Sequence, residues 1–140
     1  MITWKSLVLV FAGGTLGTLL RFGIDFTIGS LFSVALVNVV GSAVIGWINS
    51  DPRVAQVGRR QFWAVGFSGG FTTMSGVALL MASGILAPTS VGQPVSAGLI
   101  GYVFGIFAAS LLAYWGAHTL GERLTGNSAA VSHDVEEVTE

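Results

Sequence analysis

From Gln61 to Gly121 the chain carries no Asp, Glu, Lys or Arg. An uncharged apolar stretch of that length suffices for two membrane crossings at about 20 residues each. Charged residues make up 9% of the whole chain, against about 25% in soluble domains. Backbone groups have no water to bond in hydrocarbon, so each spanning segment pairs its own, as a helix does. The chain therefore reads as an all-α membrane protein.

Four hydrophobic segments follow, at about 4–20, 31–49, 62–86 and 95–119. Arg21–Asp25, the stretch from Asp51-Pro52-Arg53 to Arg59-Arg60, and Pro88–Pro94 separate them with charge or turn signals. Residues 1–124 form one four-helix transmembrane domain, and residues 125–140, with Asp134, Glu136, Glu137 and Glu140, form a disordered acidic tail. Lys5 ahead of an apolar run looks like a secretory signal, but further membrane segments follow Arg21, so the first helix is retained. The chain has no cysteine, which excludes disulfides and thiolate metal sites.

The spans are sided. Trp4 and Trp63 open spans one and three, while Trp47 and Trp115 close spans two and four, so all four mark one membrane interface. Lys5, Arg53, Arg59, Arg60 and Arg123 lie on that same side with both termini, and Arg21 alone lies opposite. This bias predicts cytoplasmic N- and C-termini and a single insertion direction in the cell membrane. Gly13-x-x-x-Gly17 and Gly101-x-x-x-Gly105 are close-packing signals for helices in a bilayer. Four short helices enclose little volume, so a polar pathway calls for an oligomer.

Residues 66–76 hold four glycines and four hydroxyl side chains where a plain spanning helix would be Leu and Ile. Such a composition predicts a break in the third helix, and broken membrane helices are common places for ions. Freed carbonyls would suit a cation, whereas the hydroxyls of Thr72, Thr73 and Ser75 would suit an anion or bond back to the preceding turn. Asn38, inside the second span, is either an interhelical hydrogen-bonding residue or a donor to an anion. Arg21 either reaches for the interface or supplies a fixed cation to a vestibule, with Asp25 as a possible partner. Tyr102 and Ser110 share one helix face and are candidate pathway residues. His118 is an interfacial residue.

No carboxylate is embedded in spans two to four, which disfavours a small proton-coupled multidrug exporter. No Ser-His-Asp set, His-x-x-x-His pair or phosphate loop occurs, which disfavours an enzyme.

Three motifs resemble one family. Gly13-Gly14-Thr15-Leu16-Gly17 through Arg21-Phe22, Val37-Asn38-Val39-Val40-Gly41-Ser42, and Gly66-Phe67-Ser68-Gly69-Gly70-Phe71-Thr72-Thr73-Met74-Ser75 resemble, in order, motifs of the Fluc (CrcB) fluoride channels. The resemblance implies an antiparallel, dual-topology dimer of four-helix subunits with a structural sodium ion at the interface. It assigns that sodium to backbone carbonyls of Gly69 and Thr72 at the broken third helix. It places Asn38 on the fluoride path, Arg21 at an aqueous vestibule, and Tyr102 at a fourth-span pore position. Thr73 and Ser75 add hydroxyl donors beside Asn38. The implied task is passive fluoride efflux that relieves toxicity in the cytoplasm.

The chain departs from that pattern where the family has two phenylalanines, at Met74 and Val77; neither offers an aromatic edge. Phe71 is near but in another register. Ser33-Val34 also replaces a Gly-Thr of the family's second span. With the charge bias, these departures favour a heterodimer with a paralogous sister over a homodimer. The competing expectation is a non-conducting assembly partner.

Overall fold

The computed structural model describes residues 3–50, 57–86 and 97–137, with side chains to residue 83 in the third span and to residue 125 in the fourth. The turns expected around Asp51-Pro52-Arg53 and Pro88–Pro94 lie outside the described residues. All described regular structure is helical, and four stretches are long and apolar enough to cross a membrane.

Helix α1 runs Trp4–Ile28, capped by Thr3, whose side-chain oxygen accepts the Ser6 N–H at 3.3 Å. The span expected to end at Leu20 continues for two more turns through Arg21 and Asp25. Charges end an apolar stretch, but nothing there disrupts a helix until Gly29. That single residue joins α1 to α2 (Ser30–Ser50) with φ +80°, a conformation natural to glycine.

The third span is four pieces: α3 (Val57–Arg60), a π-helical stretch Gln61–Phe67, α4 (Ser68–Phe71) and α5 (Met74–Leu86). The predicted break is present, at Thr72–Thr73. The π stretch ends where the Trp63 carbonyl accepts both the Ser68 N–H and the Ser68 hydroxyl, the latter at 2.9 Å. Helix α6 covers Ala97–Glu137, so helical backbone extends past the boundary expected at residue 125.

Glycine decides which helices meet. Span one packs most closely on the π stretch and α4, and α2 on α6. A Cβ on Gly13 would overlap the Phe62 carbonyl oxygen, one on Gly17 that of Phe67, and one on Gly70 that of Gly14. Backbone thus lies against backbone between span one and the break. Gly46 meets the Tyr114 carbonyl in the same manner, joining α2 to α6. The Gly101-x-x-x-Gly105 signal is not used among the described residues: a Cβ at Gly98, Gly101 or Gly105 would meet nothing within 4 Å there.

The interior is small. One cluster centres on Val37, Phe67 and Phe71, and another on Val34, Val77 and Ile106. Large apolar side chains elsewhere face outward, Phe26 at 85% and Trp4 at 79% exposure among them. Lipid is a good solvent for such a surface and water is not. The outside of the bundle is therefore as apolar as its inside.

Gly17→Ala should destabilise the folded chain by about 1–3 kcal/mol through overpacking against Phe67 and Phe71. Gly23→Ala, with nothing within 4 Å of the added methyl, should be neutral or stabilising by up to about 1 kcal/mol. Thermal melts in detergent compare the two, and equal effects would contradict this packing.

Candidate functional site

At Thr72 the chain leaves the helix for an extended conformation (φ −74°, ψ 157°). A break inside an apolar layer strands backbone groups, and two side chains collect them. The Asn38 oxygen accepts the Thr73 N–H at 3.0 Å, while its amide nitrogen donates to the Thr73 carbonyl at 3.2 Å and to the Val34 carbonyl at 2.8 Å. The Thr73 hydroxyl then accepts the Gly76 N–H at 2.9 Å and so caps α5. Asn38 is thus an interhelical bracket, and its two amide hydrogens are both engaged.

This rerouting uncovers carbonyls. In a continuous helix the Thr73 N–H would bond the Gly69 carbonyl, and the Gly76 N–H that of Thr72. Both donors go elsewhere, to Asn38 and to Thr73's own hydroxyl. Gly69 and Thr72, the two residues singled out for sodium, are therefore among the residues at the break whose carbonyls lose helical partners. Gly69 is exposed, with nothing within 4 Å of where a Cβ would stand. The Thr72 side chain bonds back to the Ser68 carbonyl at 2.8 Å, leaving the main-chain oxygen as its contribution.

Beside the break lies a cleft of about 770 Å³. Arg21, Thr73 and Ser75, all expected site residues, line it together with Asp25, Thr18, Ser33 and Ser83. The Thr73 and Ser75 hydroxyls are 3.2 Å apart. One of the two hydroxyls donates to the other, and the Thr73 oxygen also accepts from Gly76, so the pair keeps one proton to donate, beside exposed Ser75. Arg21 is half-buried and makes no ion pair with Asp25; among the described residues the only ion pair is His118 with Glu122, at 3.5 Å.

The other expected residues stand apart. Met74 is 64% exposed on the outer surface. Val77 is buried with Val34 and Ile106, and half-buried Tyr102 packs against that cluster and donates its hydroxyl to the Leu31 carbonyl. The Ser110 hydroxyl is buried without a hydrogen-bond partner among the described residues. Phe71 is 5% exposed and stacked on Phe67 at 5.3 Å, a core position. His118 stacks near Tyr114 at 6.0 Å, in the middle of α6 and near the end of its apolar stretch.

Sequence reasoning passed over Thr18, Ser33 and Ser83. The repeat Thr18, Arg21–Phe22, Asp25 is a helical stripe on α1, but it extends past the point where the apolar run ends. Thr18 also donates to the Gly70 carbonyl at 3.4 Å, tying α1 to the break.

A multi-pass helical membrane protein with a polar cleft beside a broken span is an ion-handling architecture. The comparisons agree: residues 8–118 match the family described as CrcB-like protein, Camphor Resistance (CrcB), and the chain belongs to that family. A Thermus thermophilus protein named fluoride-specific ion channel FluC is 38% identical over 128 residues, covering 85% of this chain and 95% of that one. A FluC of Gloeobacter violaceus is 33% identical over 134 residues (83% and 98%), and FluC 1 of Corynebacterium diphtheriae is 33% identical over 96 residues (67% and 92%). These relatives are named as channels, in keeping with the expectation that the chain is not an enzyme. No solved structure matches the chain.

Asn38→Ala should leave the Thr73 N–H and carbonyl unpaired in an apolar setting, destabilising the fold by about 1–3 kcal/mol per stranded group. Asn38→Asp, which keeps the acceptor and loses the donors, should fall between Ala and the native chain. Unfolding in detergent monitored by tryptophan fluorescence orders the three; a native-like Ala variant would remove the bracket.

Proposed function

We propose that the chain is a subunit of a fluoride-selective channel that lets fluoride leave the cytoplasm passively. The single observation that carries this reading is the cleft in which Arg21, the Thr73–Ser75 hydroxyl pair and the broken third span come together. Membership of a family whose relatives are named fluoride-specific channels supplies the ion.

Fluoride is small and strongly hydrated, so passage needs donors that replace its water. A hydrogen bond to a charged group contributes about 1.5–3 kcal/mol, and a dry surrounding strengthens each one. The Ser75–Thr73 hydroxyl pair, bonded to each other, has one proton to spare. Asn38 reaches the anion only by releasing a bond, and the weaker one is that to the Thr73 carbonyl. Arg21 attracts anions to the cleft mouth.

The carbonyls of Gly69 and Thr72 suit a hard cation such as sodium, which takes oxygen ligands. One chain offers two such oxygens, and a chain inserted the opposite way would bring a similar set across an antiparallel dimer axis. The ion would hold the two chains together by neutralising facing carbonyl dipoles. The charge bias fixes this chain with both termini in the cytoplasm. A sister chain of opposite bias supplies the aromatic edges missing at Met74 and Val77. The second reading, an assembly partner that does not itself conduct, is favoured by that same loss, since Met74 faces outward and Val77 is packed away.

Liposomes holding the sister and this chain should release fluoride, read with an ion-selective electrode, and this chain alone should release little. Ser75→Ala in the mixed assembly should slow release about ten-fold or more, the loss of one charged hydrogen bond. An unchanged rate assigns the path to the sister and supports the non-conducting reading; rapid release from this chain alone removes the need for a sister.

Sodium should raise the thermal midpoint of the assembled dimer relative to an equal concentration of N-methylglucamine, because a ligand of the assembled state stabilises it by mass action. Equal midpoints would withdraw the sodium site.

A further inference from the structure

Asp25 is out of place electrostatically. It lines the same cleft as Arg21, one helical turn further along α1, and the two make no ion pair. Its side chain has no partner among the described residues, and its backbone carbonyl accepts the Gly29 N–H at 3.2 Å. It sits in the last turn of α1, where the negative end of the helix dipole disfavours a carboxylate. Its side chain is exposed, and it neither caps nor pairs.

The rest of the cleft carries no other charge. Around Asp25 stand Arg21 and Thr18 on α1, Ser30 and Ser33 on α2, and Thr73, Ser75 and Ser83 on the third span. Every titratable or charged group in the lining is therefore one of two, of opposite sign. Arg21 alone would make the cleft cationic throughout; with Asp25 present the net charge of the lining is zero. A carboxylate held apart from its neighbouring guanidinium opposes anions over the whole cleft, because its field is not cancelled at short range by a contact pair.

We propose that Asp25 is an anion-repelling residue of this cleft, which sets how much anion Arg21 gathers there. The proposal rests on the reading of the cleft as an anion vestibule. Its consequence is a vestibule tuned for moderate, salt-sensitive anion occupancy and not for the strongest attraction its geometry would allow.

The chain contains no cysteine, so Ser83→Cys places a single thiol in the cleft. The rates at which an anionic and a cationic methanethiosulfonate modify that thiol report the local potential, whether or not fluoride passes. Asp25→Asn should speed the anionic reagent and slow the cationic one by about two-fold each at ~0.01 M ionic strength, moving their ratio about four-fold. The shift should vanish at ~1 M salt, where the screening length falls to about 3 Å. Arg21→Gln should move the ratio the opposite way, and the charge-conserving Asp25→Glu should leave it at the native value. An unchanged ratio in Asp25→Asn, or a change that persists at high salt or appears equally in Asp25→Glu, would overturn the proposal. Fluoride release from the mixed assembly is a separate readout: a shifted ratio with unaltered release upholds Asp25's field and counts against the vestibule reading.

Discussion

The polar contacts around the third span follow from one obligation: a helix broken inside an apolar layer has to find partners for the backbone groups it strands. The Asn38 carboxamide meets most of that obligation at Thr73, and the Thr73 hydroxyl meets the rest at Gly76. The carbonyls at Gly69 and Thr72 are among the backbone groups that neither side chain takes up. The ion chemistry proposed for the chain is thus the remainder of a structural repair. Removing the repair and removing the site are nearly the same act.

The repair needs the break to be held still, and small residues do that. Gly13 and Gly14 bring the α1 backbone against Gly66 and Gly70, and Gly17 brings it against the main chain of Phe67 and Phe71, so the span beside the break is set by main-chain contact and not by adaptable side chains. Gly41 lies against the Thr72 methyl from the other side. The break is gripped between two helices whose contact faces carry hydrogen where a side chain would be. Arg21 reaches the cleft because α1 does not stop where its apolar run does.

Much of this was legible in the sequence. An uncharged run, tryptophans on one side and glycines mixed with hydroxyls in the third span gave the four crossings and the broken helix. The π-helical stretch Gln61–Phe67 was not legible, since a uniformly apolar segment has no periodicity from which a shifted turn could be read. The far end of α1 was missed because charge marks the edge of hydrocarbon, not the end of a helix. For Asn38 the residue type allowed two uses, and only the position of Thr73 shows that both amide hydrogens are engaged. The glycine spacing at Gly101 and Gly105 looked the same as that at Gly13 and Gly17, yet only the latter is packed within the chain. Spacing reports that a close approach is permitted; which surface takes it up is decided elsewhere in the fold.

The pairing order of the spans has a consequence for biogenesis. The first span meets its main partner only in the third, and the second only in the fourth, although Gly29 joins spans one and two almost without a loop. A nascent chain that has delivered its first hairpin to the bilayer has completed neither pairing. The glycine face of the first span lies bare to lipid until the third arrives, and Gly46 of the second until the fourth. Assembly is therefore stepwise and late, and a chain stalled after its first hairpin displays to the membrane the very faces that the finished protein conceals.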